Sequence, residues 1–150
     1  MITGTEIKKK VFISLNENNG HPMMPSHAYD GDAGYDLFVS RPAIVSPGSV
    51  ADVHTDISIR LPHGYYARIV GRSSTLRKRR LVVNEGIIDN GYTGELFVCV
   101  LNTTRHAIQI DPGERLAQLI VQPIVLLDFI ARDDLGHTER GNNGFGSSGK

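Results

Sequence analysis

Asp52-Val-His-Thr-Asp-Ile-Ser-Ile-Arg-Leu61 decides the fold class. Val53, Ile57, Ile59 and Leu61 share one parity, which places them together on one face of a half-buried β-strand. Outward from this stretch, short runs rich in Val and Ile recur at residues 11–15, 34–38, 43–45, 50–59, 65–70, 96–101, 107–110 and 116–127. Pro-Gly, Asn-Gly, Asp-Gly and Asn-Asn pairs punctuate them. Helical periodicity is nearly absent. The exception is residues 73–80, where Ser73 or Ser74 is expected to cap one or two turns containing Leu76. The pattern predicts an all-β architecture with the strand spacing of a small sandwich or barrel.

A chain of 150 residues is long enough for one domain with a real core, and 40% hydrophobic with 21% charged residues is ordinary for a soluble globular protein. The formal net charge of zero argues against a bulk nucleic-acid binder. The single Cys99 excludes a disulfide framework and a cysteine-based metal site, and fits a reducing compartment. No signal peptide is evident, and the apolar stretch 119–130 is interrupted by Gln122, Pro123 and Asp128 and is too short to span a bilayer. A soluble protein of the cytoplasm is expected (host-cell cytoplasm or nucleus if viral), with no nucleic-acid or membrane partner. The N-terminal decade, the loop at residues 16–25 and everything after about Gly136 read as flexible, giving a domain at 1–136 and a glycine-rich lid at 137–150.

Five segments bear chemistry. Gly31-Asp-Ala-Gly-Tyr-Asp-Leu37 sets two carboxylates around a glycine turn. Gly71-Arg-Ser-Ser-Thr75 follows a strand and opens a short helix, placing N–H groups, hydroxyls and Arg72 where an anion binds. In Gly86-Ile-Ile-Asp-Asn-Gly-Tyr-Thr-Gly-Glu-Leu96, Asn90-Gly91 signals a β-hairpin with Asp89 and Tyr92 flanking the turn. Asp89, just after two isoleucines, is expected to be partly desolvated, which suits a general base. Pro112-Gly-Glu-Arg-Leu-Ala-Gln-Leu-Ile120 makes a turn and a strand with Arg115 and Gln118, read as buried groups that need partners in the fold or on a ligand. Arg140-Gly-Asn-Asn-Gly-Phe-Gly-Ser-Ser-Gly-Lys150 cannot pack, yet offers a guanidinium, an aromatic ring and glycine-flanked N–H groups suited to phosphate. Each segment alone also fits a turn, a cap, a strand end or a loose terminus.

Taken in order and spacing, they resemble the motifs of the trimeric dUTP diphosphatase (dUTPase) family. Ala33–Leu37, Gly71–Ser74, Gly86–Glu95, Arg115–Ile120 and Arg140–Gly149 stand as its first to fifth motifs, so the resemblance runs from about residue 25 to the C-terminus. It implies a jelly-roll-like β-barrel in a homotrimer, with active sites shared between subunits, that converts dUTP to dUMP and pyrophosphate with Mg2+. By resemblance, Asp89 activates the water that attacks the α-phosphorus, and Tyr92 carries the deoxyribose and excludes a 2′-hydroxyl by clash. The stretch 83–88, including Gly86 and Ile88, reads the uracil edge through its backbone, with Asn84 as the side-chain candidate. Asp36 holds waters of a metal shell whose remaining oxygens come from the triphosphate. Arg72, Ser73, Ser74 and Gln118 bind the phosphates. From the tail, Phe145 stacks on uracil while Arg140, Gly146, Ser147 and Ser148 close over the γ-phosphate.

Ser74 stands where the family usually has glycine. That variant is similar to the related dCTP deaminases, which need a glutamate ten residues after the third-motif aspartate. Here that position is Cys99, and a thiol cannot shuttle the protons. A nucleotide-gated regulatory binding protein is the alternative from another class.

Overall fold

The computed structural model describes residues 8–147 and 149. Ser148, and the first seven residues of the N-terminal decade, lie outside the described residues. The strands are β1 (Phe12–Leu15), β2 (Tyr35–Phe38), β3 (Ala43–Val45), β4 (Val50–Arg60) and β5 (Tyr65–Gly71). After helix α1 (Ser73–Arg79) come β6 (Leu81–Val83), β7 (Gly86–Ile88), β8 (Glu95–Asn102), β9 (Ile108–Ile110) and β10 (Arg115–Pro123). Two four-stranded antiparallel sheets, ordered β1-β4-β8-β6 and β2-β10-β5-β7, face each other, and β3 pairs with β9 alone. The fold is all-β and jelly-roll-like. No helix among the described residues is long and apolar enough to cross a membrane.

The core is where the two parities meet. Val53, Ile57 and Ile59 of β4 and Leu96, Val98 and Val100 of β8 are buried in one sheet, and Leu37, Ala67, Ile69, Ile88, Ala117 and Leu119 in the other. At about 25 cal/mol per Å² of apolar surface, such interdigitated branched side chains are the main favourable term in folding. The β4 alternation survives an irregularity. His54 pairs with Phe97 and Ser58 with Glu95, so β4 spends two more residues than β8 over the same span. An insertion of two keeps the parity, and Asp56 absorbs it with a left-handed φ of 54°.

Several expectations need correction. The Asn90-Gly91 turn closes no hairpin. β7 pairs with β5 and β8 with β4 and β6, so the turn carries the chain from one sheet to the other. The Asn90 amide fixes it there by donating to the carbonyls of Pro62 and Tyr65, both at 2.8 Å. Strand β10 stops at Pro123 rather than residue 127, because proline offers no N–H to the ladder. The helix starts one residue earlier than a serine cap requires. Arg72 holds the N-cap position, no side chain caps it, and buried Thr75 rather than Leu76 anchors the helix through a 2.6 Å bond to the Leu116 carbonyl. The irregular loop at residues 16–25 is tied down, by Asn16 N–H to Asp56 O and His21 N–H to Ser40 O, each 2.9 Å.

Candidate functional site

A bulge in β10 builds the first half of the site. The register shifts between Arg115 and Ala117, so Leu116 and Ala117 are both buried while Arg115 and Gln118 turn to the outer face. Gln118 then lies beside Asp36 of β2 on one side and Val70 of β5 on the other. Its amide donates to the Gly71 carbonyl at 3.2 Å and packs onto the Cα of Gly34, where any Cβ would collide with the Gln118 Oε1. Asp36, Gln118, Arg72, Ser73, Gly34 and His27 surround an open cleft of about 340 Å³. Three of the five sequence motifs thus converge on one face of one sheet.

The cleft is electrostatically organised. The Arg72 Nε lies 2.9 Å from Asp36 Oδ1, and Arg115 reaches Oδ2 at 3.3 Å. Arg72 also donates to the Arg115 carbonyl at 3.0 Å. Arg115 is half-exposed rather than buried, because it begins β10 at the sheet end. Ser73 is exposed and Ser74 half-buried in the first helical turn, with neither hydroxyl consumed in a cap. His27 was missed from sequence. Its ring stacks on Tyr35 at 4.7 Å, and its buried Nδ1 has no hydrogen-bond partner. A histidine in a loop without a motif around it gives no signal until Tyr35 is seen beneath it.

The third motif lies elsewhere. Asp89 is exposed, not partly desolvated: Ile88 points into the core and ends β7, so the next residue emerges into solvent. Tyr92 is half-exposed; its N–H donates to the Asp89 carbonyl at 3.1 Å and its hydroxyl to the Glu95 carbonyl at 3.0 Å. Upstream, Asn84 is exposed and its N–H is spent on the Cys99 carbonyl at 2.9 Å. Gly86 is half-buried and the Ile88 side chain is in the core, leaving backbone as what these two can offer. The Arg68 guanidinium pairs with Glu85 and holds its carboxyl below the usual range, which pins this stretch to β5.

Strand register measures the gap between the halves. From β2 to β7 there are three strand spacings, about 14 Å. Gln118 is level with Val70, whereas Asp89 falls level with Tyr66, four residues or about 13 Å along. Asp36 and Asp89 of one chain are therefore roughly 20 Å apart.

The tail is apart from both. Arg140 Nε donates to the Asn143 carbonyl at 2.9 Å, Ser147 N–H to the Gly144 carbonyl at 3.1 Å, and the Phe145 ring is fully exposed. Before it, Val125, Leu126, Leu127, Phe129, Ile130 and Leu135 are 66–93% exposed, without a strand or helix.

For a divalent metal, the cleft offers two carboxylates: Asp36, already between two guanidiniums, and Asp32, which accepts the Tyr29 N–H at 3.1 Å. That donor set does not hold an ion by itself, but it fits a carboxylate that accepts hydrogen bonds from metal-bound waters. Elsewhere among the described residues, His54, Asp56 and Glu95 bring ligand-type atoms within 4.8 Å of one another. Both Asp56 oxygens are taken by Arg41 and Ser40, so this cluster is satisfied by hydrogen bonds.

Residues 21–149 match the dUTPase family model. A deoxyuridine 5′-triphosphate nucleotidohydrolase of Alkaliphilus metalliredigens is 35% identical over 139 residues, covering 91% of this chain and 96% of that protein. That of Leifsonia xyli is 45% identical over 129 residues, covering 84% and 85%. Among solved structures, the dUTPase of Staphylococcus bacteriophage 80alpha with dUPNHPP superimposes with a TM-score of 0.88 at 27% identity, over 95% of this chain and all of that one. A dUTPase from phage phi11 of S. aureus, solved with a structural Mg(II) ion, gives 0.78 at 25% identity over 85% and 99%.

Proposed function

This chain belongs to the dUTPase family and is a dUTP nucleotidohydrolase, and from that premise we propose that its active site is assembled from more than one copy of the chain. The observation that carries this is the separation of roughly 20 Å between Asp36 and Asp89 within one subunit. A general base must come within hydrogen-bond reach of its water, and that water must meet the α-phosphorus of a triphosphate seated at Arg72 and Ser73. One chain cannot satisfy both. The exposed apolar arm supports the same reading, since burying each such side chain is worth roughly 1.5–3 kcal/mol and the described part of the subunit offers it no cover. A homotrimer would provide a neighbour for the arm and for each half-site.

In this reading the triphosphate lies along the cleft, held by Arg72, the Ser73 and Ser74 hydroxyls and the Gln118 amide. Asp36 keeps Arg72 and Arg115 aligned until the substrate arrives. Asp89 from another copy takes a proton from the water as it attacks the α-phosphorus, and pyrophosphate leaves. Asp36 would accept hydrogen bonds from the waters of a Mg2+ ion, whose chemistry there would be to neutralise charge on the leaving pyrophosphate. Tyr92 lies under the deoxyribose, and backbone near Gly86 and Ile88, with or without Asn84, reads uracil. The tail, residues 137–150, closes over the site with Phe145 on the base and Arg140, Gly146, Ser147 and Ser148 at the γ-phosphate. Its glycine content suits a segment that orders for each turnover.

Cys99 favours hydrolysis over deamination. It is half-buried, and burial first, then the neighbouring Asp52, pushes its thiol pKa up, so it offers no carboxylate-like proton shuttle. A panel of dUTP, dCTP and UTP with Mg2+ tests the reading. Pyrophosphate and dUMP from dUTP alone are expected; dUTP formed from dCTP, or no product from any, contradicts it. Light scattering should give the mass of three chains.

A further inference from the structure

Behind the Asp89–Tyr92 turn stands a polar network that the reaction, as described above, does not use. Tyr92 is fixed against the two residues that follow its turn. Its hydroxyl donates to the Glu95 carbonyl at 3.0 Å, and its ring lies so close over Gly94 that a Cβ there would come within 2.5 Å of the hydroxyl and 2.6 Å of Cζ. The position of the ring is therefore the position of residues 94–95.

The Glu95 side chain, in turn, is only 21% exposed and its carboxylate is turned back onto β4. Its Oε1 accepts the Asp56 backbone N–H at 2.8 Å, and both oxygens face His54 Nδ1, at 3.0 and 3.1 Å. The Asp56 N–H is available only because the β4 irregularity withdraws it from the ladder between His54 and Ser58. Asp56 pays for this with a left-handed backbone that most side chains avoid. What retains that conformation is its own carboxylate, almost fully buried, which accepts the Ser40 hydroxyl at 2.6 Å and the Arg41 guanidinium through both oxygens.

We propose that Glu95, clamped by the Asp56 N–H and His54, is a positioning residue that sets the height of the Tyr92 ring and so the discrimination between deoxyribo- and ribonucleotides. The proposal rests on the reading of Tyr92 as the sugar platform. Exclusion by clash depends steeply on distance, so a ring free to sink by a fraction of an ångström readmits a 2′-hydroxyl while still binding dUTP. Glu95 touches neither substrate nor water in this account and acts through the main chain at residues 94–95.

The test is the ratio of kcat/KM for dUTP to that for UTP in the intact assembly. Glu95→Ala is expected to lower the ratio about tenfold or more, chiefly by raising activity on UTP, a change that general loosening of the fold does not produce. Glu95→Gln, which keeps an acceptor for the Asp56 N–H, should restore most of it. His54→Asn, at a half-exposed position, gives a smaller drop in the same direction and covers the case in which Glu95→Ala fails to fold. Tyr92→Ala separates the two layers of the argument. An unchanged ratio in Tyr92→Ala removes the platform reading and the proposal with it. A collapsed ratio in Tyr92→Ala beside unchanged ratios in folded Glu95 and His54 variants overturns the clamp alone.

Discussion

The phosphate cleft and the arm that follows β10 are opposites in construction. The cleft is framed by side chains on two adjacent strands and the helix start beside them, and several are locked by a partner: Asp36 by two arginines, Gln118 by Gly71 and Gly34, while Thr75 anchors the helix. The arm, residues 124–135, has apolar side chains and almost nothing to pack them on, its last tie to the sheet being Ile124 N–H to the Gly64 carbonyl at 2.8 Å. Under the proposed assembly, the difference separates what this chain completes alone from what it would hold out to another copy. A pre-organised cleft costs little to reorganise on binding, whereas exposed apolar side chains gain free energy only when something covers them.

The comparison breaks first at the base. Asp89→Asn should leave dUTP binding intact and lower kcat by about 10²–10⁴-fold. Binding by calorimetry beside single-turnover rates checks it, and near-normal turnover would remove Asp89 as the base. Truncation after Glu139 comes next. It should preserve the fold and the number of chains in the assembly while cutting activity by of order 100-fold, the cost of losing a positioning lid. Full activity without those residues would reduce the tail to a loose terminus.

A smaller effect distinguishes framework from site. Arg41 holds the Asp56 carboxyl down to about 2, with Ser40 helping and burial opposing. A depressed carboxyl contributes stability that is complete above its unfolded value near 4 and is lost as pH falls from about 4 towards 2, here roughly 2 kcal/mol. The fall in Tm over that window should be shallower in Asp56→Asn than in the parent chain. Equal slopes would mean that Asp56 is not what acid removes. Least of all, the Cys99 thiol, raised by burial, should react with a thiol reagent at neutral pH more slowly than free cysteine.

How much of this was legible in the sequence follows from range. The alternation through Val53, Ile57 and Ile59 predicted the sheet because a two-residue insertion leaves parity untouched. The three-residue β6 gives no strand signal, while β7 is legible only as one arm of the hairpin expected around Asn90-Gly91. Asn90-Gly91 was read as a hairpin because the turn is local, while the choice of partner strand is made by β5 and β4, far away in sequence. The motif residues were identified by their order, but their pairing was not. The contact of Arg115 with Asp36 spans 79 positions, and nothing near either residue announces it. Asp89 was expected to be desolvated by its two isoleucines, yet only Ile88 turns inward and the strand ends there.

The central claim is that Asp36 and Asp89 of one chain never serve the same substrate. Mixing two inactive variants tests it directly: Asp89→Asn, with a sound cleft, and Arg72→Ala, with a sound base, dissociated and reassembled together. Random reassembly into symmetric trimers places an intact cleft against an intact Asp89 at about one site in four. The account predicts recovery of dUTP hydrolysis to about that fraction of the unsubstituted protein. Mixed assemblies that form, by mass, and stay inactive would contradict it.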